Sequence, residues 1–131
     1  MNGPLEQLNL RIRRIPPPSD QKAQELLTSA KHFASAIASA ASSSWNPEAG
    51  RRSLAAQRQL IPMLAAGIPK NSEAARVFRE HDILRVLQVM YAIASGVLDG
   101  RPEPAEDEID RLLLAAPDLN PPSRSWWQFW K

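Results

Sequence analysis

Histidine chemistry is the first possibility that the residues raise, and the chain has two histidines, His32 and His81. His81 precedes Asp82, a pair that metal-dependent hydrolases use, but such a site needs further histidines and a distant aspartate such as Asp99. Metal centres take several nitrogen, sulfur or carboxylate ligands, and the chain has no cysteine. We therefore expect no metal and no cofactor, and we predict that Asp82 caps a helix at a junction.

Acid–base and nucleophilic catalysis have equally little to build on. Glu106, Asp107 and Glu108 could act as catalytic carboxylates, but they fall where a helix is predicted to begin, and the helix dipole stabilises negative charge there. The sequence has no Gly-x-Ser-x-Gly motif and no glycine-rich phosphate loop. These observations predict that the chain is not an enzyme.

Arginines form two sequence clusters that could contact phosphates. The formal net charge is +2, which falls short of the basic excess of a dedicated nucleic-acid binder, and no helix-turn-helix or other reader motif is visible. We favour an ordinary solvated face and keep a weak nucleic-acid-binding role as the third hypothesis. The candidate basic contacts are Arg11, Arg13, Arg14, Arg51, Arg52 and Arg58.

The C-terminal aromatic residues depart most from an ordinary sequence. The aromatic cluster, as we call it, consists of Trp126, Trp127, Phe129 and Trp130. Each ring can bury about 150–250 Å², and leaving all of them in water would invite aggregation. Something is expected to cover them: the chain's own helices, a pocket on a protein partner, or a membrane surface where Arg124 and Lys131 meet anionic lipid.

We rank a protein partner above a membrane, because so short a segment anchors weakly without a second signal. The basic residues near the N-terminus could supply that signal, so peripheral membrane association is the main alternative. The leading hypothesis is a non-enzymatic interaction or adaptor-type protein that binds a macromolecular partner through the aromatic cluster. A homodimer is a further option, through either the cluster or a small-residue helix face.

Composition sets the broad class and the expected location. The chain has 131 residues, 44% apolar and 23% charged, which suits one globular domain. The N-terminus does not resemble a signal peptide, and the most apolar stretch, residues 83–98, is shorter than a membrane span. We expect a cytoplasmic protein, with a membrane-peripheral location as the alternative, and the richness in Ala, Arg and Pro suggests a bacterial source.

Residues 1–18 are predicted to form an extended arm. Leu8, Leu10 and Ile12 alternate with polar residues, a period of two that is typical of a strand. Pro16, Pro17 and Pro18 then block any helix across them.

Two helices are predicted in the first half of the chain. The first runs over 20–44, capped by Ser19 or Asp20, and its Ala/Ser-rich second half lets a neighbouring helix approach closely. The second begins at Asn46 with Pro47 in its first turn. Pro62 predicts a kink or an early break, and Gly67 fits a left-handed terminator.

The second half contains two further predicted helices. One begins near Ser72 and either continues to residue 98 or breaks at residues 81–82. Its part from 83 to 98 is apolar on nearly every side, which predicts a central position. Ala92 and Gly96 are spaced for close helix contact. The last helix spans 104–116, with Ile109, Leu112 and Leu113 facing inward and Pro117 ending it.

The sequence therefore predicts an all-α fold: a small bundle of four helices, or five if the third breaks. The predicted organisation is an N-terminal arm at 1–18, a helical bundle domain at 19–116, and a proline-rich spacer with the tryptophan-rich tail at 117–131.

Overall fold

The computed structural model describes residues 3–42 and 46–120, and within these ranges the protein is built from helices without strands. The described ranges contain six α-helices, where four were predicted, or five if the third breaks, and one short 3₁₀ turn at Glu106–Glu108. The helices are α1 (Pro4–Arg13), α2 (Gln21–Ala41), α3 (Pro47–Ala66), α4 (Glu73–Glu80), α5 (Ile83–Leu98) and α6 (Ile109–Ala115).

The N-terminal segment is a helix, so the predicted extended arm is wrong. Leu5, Leu8 and Ile12 follow the spacing of one helical face, and Ile12 is fully buried in the same core as the other helices. The alternation of three apolar residues resembled a strand, but Leu5 extends the pattern to a helical period. The backbone N–H of Leu5 also donates to Glu103 Oε1 at 2.9 Å, which ties the start of α1 to a distant loop.

Local signals position α2 and α3 as expected. Asp20 Oδ2 accepts from the Ala23 N–H at 2.9 Å at the start of α2, and Asn46 Oδ1 accepts from the Ala49 N–H at 3.2 Å at the start of α3. Such bonds satisfy N–H groups that a first helical turn leaves unpaired. The three prolines at 16–18 separate α1 from α2, as predicted.

The small-residue half of α2 does receive a neighbouring helix closely. Gly50 of α3 is buried, and a Cβ placed on it would lie 2.7 Å from the Ala40 carbonyl oxygen. The predicted close contact at Ala92 and Gly96 is wrong, because Ala92 is exposed and the nearest atom to a Cβ on Gly96 is the Arg101 Nε at 3.5 Å.

The end of α3 differs from the prediction in two ways. The helix continues past Pro62 to Ala66, so the early break is wrong. Pro62 lies on the exposed side of α3, and a proline removes only one backbone hydrogen bond from the helix. Gly67 has a φ of −82°, a right-handed conformation, and the left-handed turn falls at Asn71 instead. Ile68 packs into the core, as expected.

The α5 helix is the central helix of the bundle, as predicted. It contacts all five other α-helices, and its side chains include the fully buried Ile83, Leu84, Val86, Leu87 and Met90. Residues 81–82 separate α4 from α5, so the third predicted helix takes the broken form of the two that the sequence left open. At the other end, α6 buries Leu113 and turns Ile109 and Leu112 partly inward. These helices form the frame on which the last described residues lie.

Candidate interaction surface

After α6 the chain runs over α5 through residues 116–119, which we call the crossing segment. Arg85 Nε donates to the Ala116 carbonyl oxygen at 3.2 Å, and Gln88 Nε2 donates to the Pro117 carbonyl oxygen at 2.9 Å. Both donors lie on one narrow stripe of polar side chains along the otherwise apolar α5, which we call the polar stripe. Hydrogen bonds to two consecutive carbonyls fix the direction in which the chain leaves α6.

Asp118 adds a third attachment within the crossing segment. Its Oδ2 lies 3.8 Å from Arg79 Nη1 of α4, and its Oδ1 accepts from the backbone N–H and the Nδ2 of Asn120, each at 3.0 Å. Burial acts to raise the pKa of Asp118, but the Asn120 hydrogen bonds and the charges of Arg79 and Arg85 outweigh it. The pKa of Asp118 therefore lies below its ordinary value.

A groove lies between α3 and α5 where the crossing segment ends. Its first part, of about 340 Å³, is lined by Arg58, Ile61, Pro62, Gln88, Tyr91 and Leu119. Tyr91 also lines a second recess, of about 170 Å³, which continues between the same helices to Arg51 and Asp99. We call the two together the α3–α5 groove. The walls of the first part are mainly apolar, and its rim carries Arg58 and Gln88. The second part is more polar, because Arg51, Ser95 and Asp99 also line it.

Apolar surface also lies on the other side of the crossing segment. A recess of about 270 Å³ between α5 and α6 is lined by residues that include Leu112, Ala115 and Pro117. Among the described residues, the large apolar side chains that stand exposed are Met63 on α3 and Leu114 on α6, at 66% and 79% of their surface. The crossing segment is thus flanked by apolar surface on both helices beside α5.

The aromatic cluster lies outside the described residues. The structure instead describes the chain up to Asn120, beside the α3–α5 groove, and we call the residues that follow, 121–131, the tail. No sequence pattern singled out Gln88, Tyr91 and Leu119 for this surface. The available signal was the polar stripe on an otherwise apolar α5.

The arginines at 51 and 52 interact with their own chain. Arg51 Nη2 donates to the Leu98 carbonyl oxygen at 3.0 Å and lies 3.6 Å from Asp99 Oδ1, so it satisfies a carbonyl at the end of α5. Arg52 pairs with Glu48 one turn earlier, at 3.5 Å. Both arginine side chains remain more than half exposed.

The remaining arginines are dispersed. Arg11 Nη2 lies 3.5 Å from the His81 carbonyl oxygen, a long contact, and Arg13 and Arg14 are exposed around the end of α1. Arg58 belongs to the rim of the α3–α5 groove. The six predicted basic contacts therefore lie in three places: around the end of α1, near the start of α3, and at the groove. These are Arg11, Arg13 and Arg14, then Arg51 and Arg52, and finally Arg58.

The His81–Asp82 junction has a backbone role. His81 ends α4, and Asp82 takes a left-handed conformation with a φ of 53° that separates α4 from α5. The Asp82 side chain forms no capping hydrogen bond, so the predicted cap is wrong, and it lies 4.0 Å from Arg85 instead. Within residues 3–42 and 46–120, no group of three or more His, Asp or Glu side chains is arranged to hold a metal ion.

The fold defines an all-α helical protein whose described surface offers grooves for apolar contact. Comparisons with protein-family models, with curated proteins and with solved structures find no match for this chain. Among the helices of the described ranges, none combines the length and apolar character that crossing a membrane requires.

Proposed function

We propose that the chain is a non-enzymatic interaction protein that binds a protein partner through the aromatic cluster. The observation that supports this proposal is the fixed start of the tail. Hydrogen bonds from Arg85 and Gln88 and the Arg79–Asp118 ion pair hold the crossing segment on the bundle. A binding segment whose base is already ordered loses less conformational freedom on association than one on a free chain.

The size of the aromatic cluster also suits a protein interface. Four rings that bury about 150–250 Å² each supply about 600–1,000 Å². A standard interface takes about 800 Å² from each partner. Tryptophan is enriched among the residues that contribute most of the binding energy at such interfaces.

The test is a binding measurement with the full chain. A partner isolated on the immobilised chain is identified, purified and titrated against the wild type and against a variant with serine at 126, 127, 129 and 130. Each interface hot spot contributes about 2 kcal/mol or more, or about 30-fold in affinity, so the variant should bind more than about 30-fold more weakly. Leu114→Ser is the matched control, because it removes an exposed apolar side chain outside the tail.

Other outcomes would contradict the proposal and identify the alternatives. Equal affinity of the wild type and the serine variant would exclude the aromatic cluster as the anchor. Flotation with anionic vesicles that disappears when residues 123–131 are deleted would support a peripheral membrane protein. DNA binding that weakens with salt and is lost in an Arg51→Ser/Arg52→Ser variant would support a nucleic-acid role.

A further inference from the structure

We infer that, in the free chain, residues 121–131 dock along the α3–α5 groove, with aromatic rings against Tyr91 and Arg58. The tail begins beside the groove. The crossing segment has passed over α5, and Leu119, its last apolar residue, already lines the groove together with Ile61 and Pro62. The tail therefore starts at one end of an apolar channel.

The tail is also long enough to span the groove. Along α5 the groove extends from Gln88 to Asp99, which is about 16 Å at 1.5 Å per residue. The aromatic residues lie 7–11 positions beyond Leu119, or up to about 23–36 Å in an extended chain. The rings can therefore reach every part of the groove.

The side chains that line the groove also suit aromatic rings. Tyr91 is half-buried between the two parts of the groove and presents an aromatic surface to both. Aromatic pairs gain about 0.5–1.5 kcal/mol beyond the area that they bury. Arg58 is exposed on the rim, where its guanidinium can lie over a tryptophan ring in a cation–π contact. The groove thus combines an apolar channel, an aromatic side chain and a planar cation.

Docking has a consequence that rests on the proposed function. The groove and a partner would compete for the same rings, so the apparent affinity of the partner would be reduced in proportion to the fraction of chains whose tail is undocked. Because the tail is tethered beside the groove, its effective concentration there is high. The partner would then bind more tightly to a chain whose groove is impaired.

The test uses the absence of cysteine from the natural chain. Ala55 is exposed and lines the groove, whereas the adjacent Ala56 is exposed and lines neither part of it. Ala55→Cys and Ala56→Cys chains are each labelled with bimane, a fluorophore that tryptophan quenches on contact. We expect quenching at position 55 and little at position 56. Arg58→Ser should relieve part of the quenching at position 55.

A variant with leucine at positions 126, 127 and 130 lacks the tryptophans of the tail but retains Trp45. It therefore distinguishes quenching by the tail from quenching by Trp45. Quenching at position 55 should be lost in this variant and should not change when the labelled chain is diluted. Equal quenching at 55 and 56, or quenching that survives the leucine variant, would overturn the inference. Quenching that falls on dilution would show that the tail of a second copy occupies the groove. None of these measurements involves a partner. A negative result would therefore overturn the docking of the tail alone, and the partner titration would still test the proposed function.

Discussion

Replacing Gly50 by alanine should destabilise the protein, although alanine is the better helix former. In a helix, alanine is favoured over glycine by about 0.5–1 kcal/mol. At Gly50, however, the added Cβ would lie 2.7 Å from the Ala40 carbonyl oxygen and 3.0 Å from a Leu98 methyl carbon. The nearer atom belongs to the backbone of α2, so α2 and α3 must separate. Overpacking of this kind costs about 1–3 kcal/mol, which exceeds the helix-propensity gain.

Gly96→Ala is the matched control because the same chemical change meets open surroundings. Gly96 lies within α5, and the nearest atom to its added Cβ is the Arg101 Nε at 3.5 Å, an ordinary contact with a flexible side chain. This variant should gain about 0.5–1 kcal/mol. The two substitutions therefore differ in sign, with a separation of about 1–3 kcal/mol.

Urea unfolding followed by circular dichroism at 222 nm measures both free energies of unfolding, and an unchanged m-value shows that the comparison is valid. Thermal unfolding should separate the two variants by several degrees. If Gly50→Ala proves as stable as the wild type or more so, the close crossing of α2 and α3 at this residue is refuted. If both variants are destabilised, the propensity argument fails.

Three further substitutions test the core and the crossing segment by the same assay. Ile12→Ala should lower the free energy of unfolding by about 2–5 kcal/mol, whereas Arg13→Ala, at the exposed neighbour, should change it by less than about 0.5 kcal/mol. Equal effects of the two substitutions would contradict the burial of Ile12 in α1 and would favour an extended arm at residues 1–18. Leu87→Ala in the centre of α5 should also cost about 2–5 kcal/mol, and a cost near zero would contradict its burial. Asp118→Asn should cost no more than about 1 kcal/mol at pH 7. Because the pKa of Asp118 is lowered in the folded state, this difference persists above the ordinary aspartate pKa of about 3.9 and fades as the pH falls below it; a difference that grows in acid would refute the ion pair.

Three helix starts were predictable from a local signal, whereas the cap predicted at Asp82 does not form. Asp20, Asn46 and Ser72 each accept a hydrogen bond from the backbone N–H three residues later. A short polar side chain next to an apolar periodic run carries that information within a few residues. The central position of α5 was predictable for a related reason, because a helix without a broad polar face must be enclosed by others.

Features that depend on distant partners were not predictable in this way. The α1 helix is held by Glu103, 98 residues from Leu5, and a ten-residue helix gains most of its stability from such packing. Residue type alone did not identify the left-handed positions. Gly67 has a suitable residue type, yet positive φ values fall at Asn71, Asp82 and Gly100, which also tolerate this conformation.

The polar stripe of α5 explains why the site was only partly visible in the sequence. Arg85 and Gln88 interrupt an otherwise apolar helix, and their positions on one stripe indicated a face that differs from the rest. Their acceptors are backbone carbonyls at residues 116 and 117, and a carbonyl has no side-chain signature that a sequence could display. The stripe could therefore predict that something polar lies over α5, but only the structure identifies the crossing segment. Because that segment ends beside the α3–α5 groove, the same two side chains that fix it also set where an aromatic tail begins, and any role of the tail must start from that point.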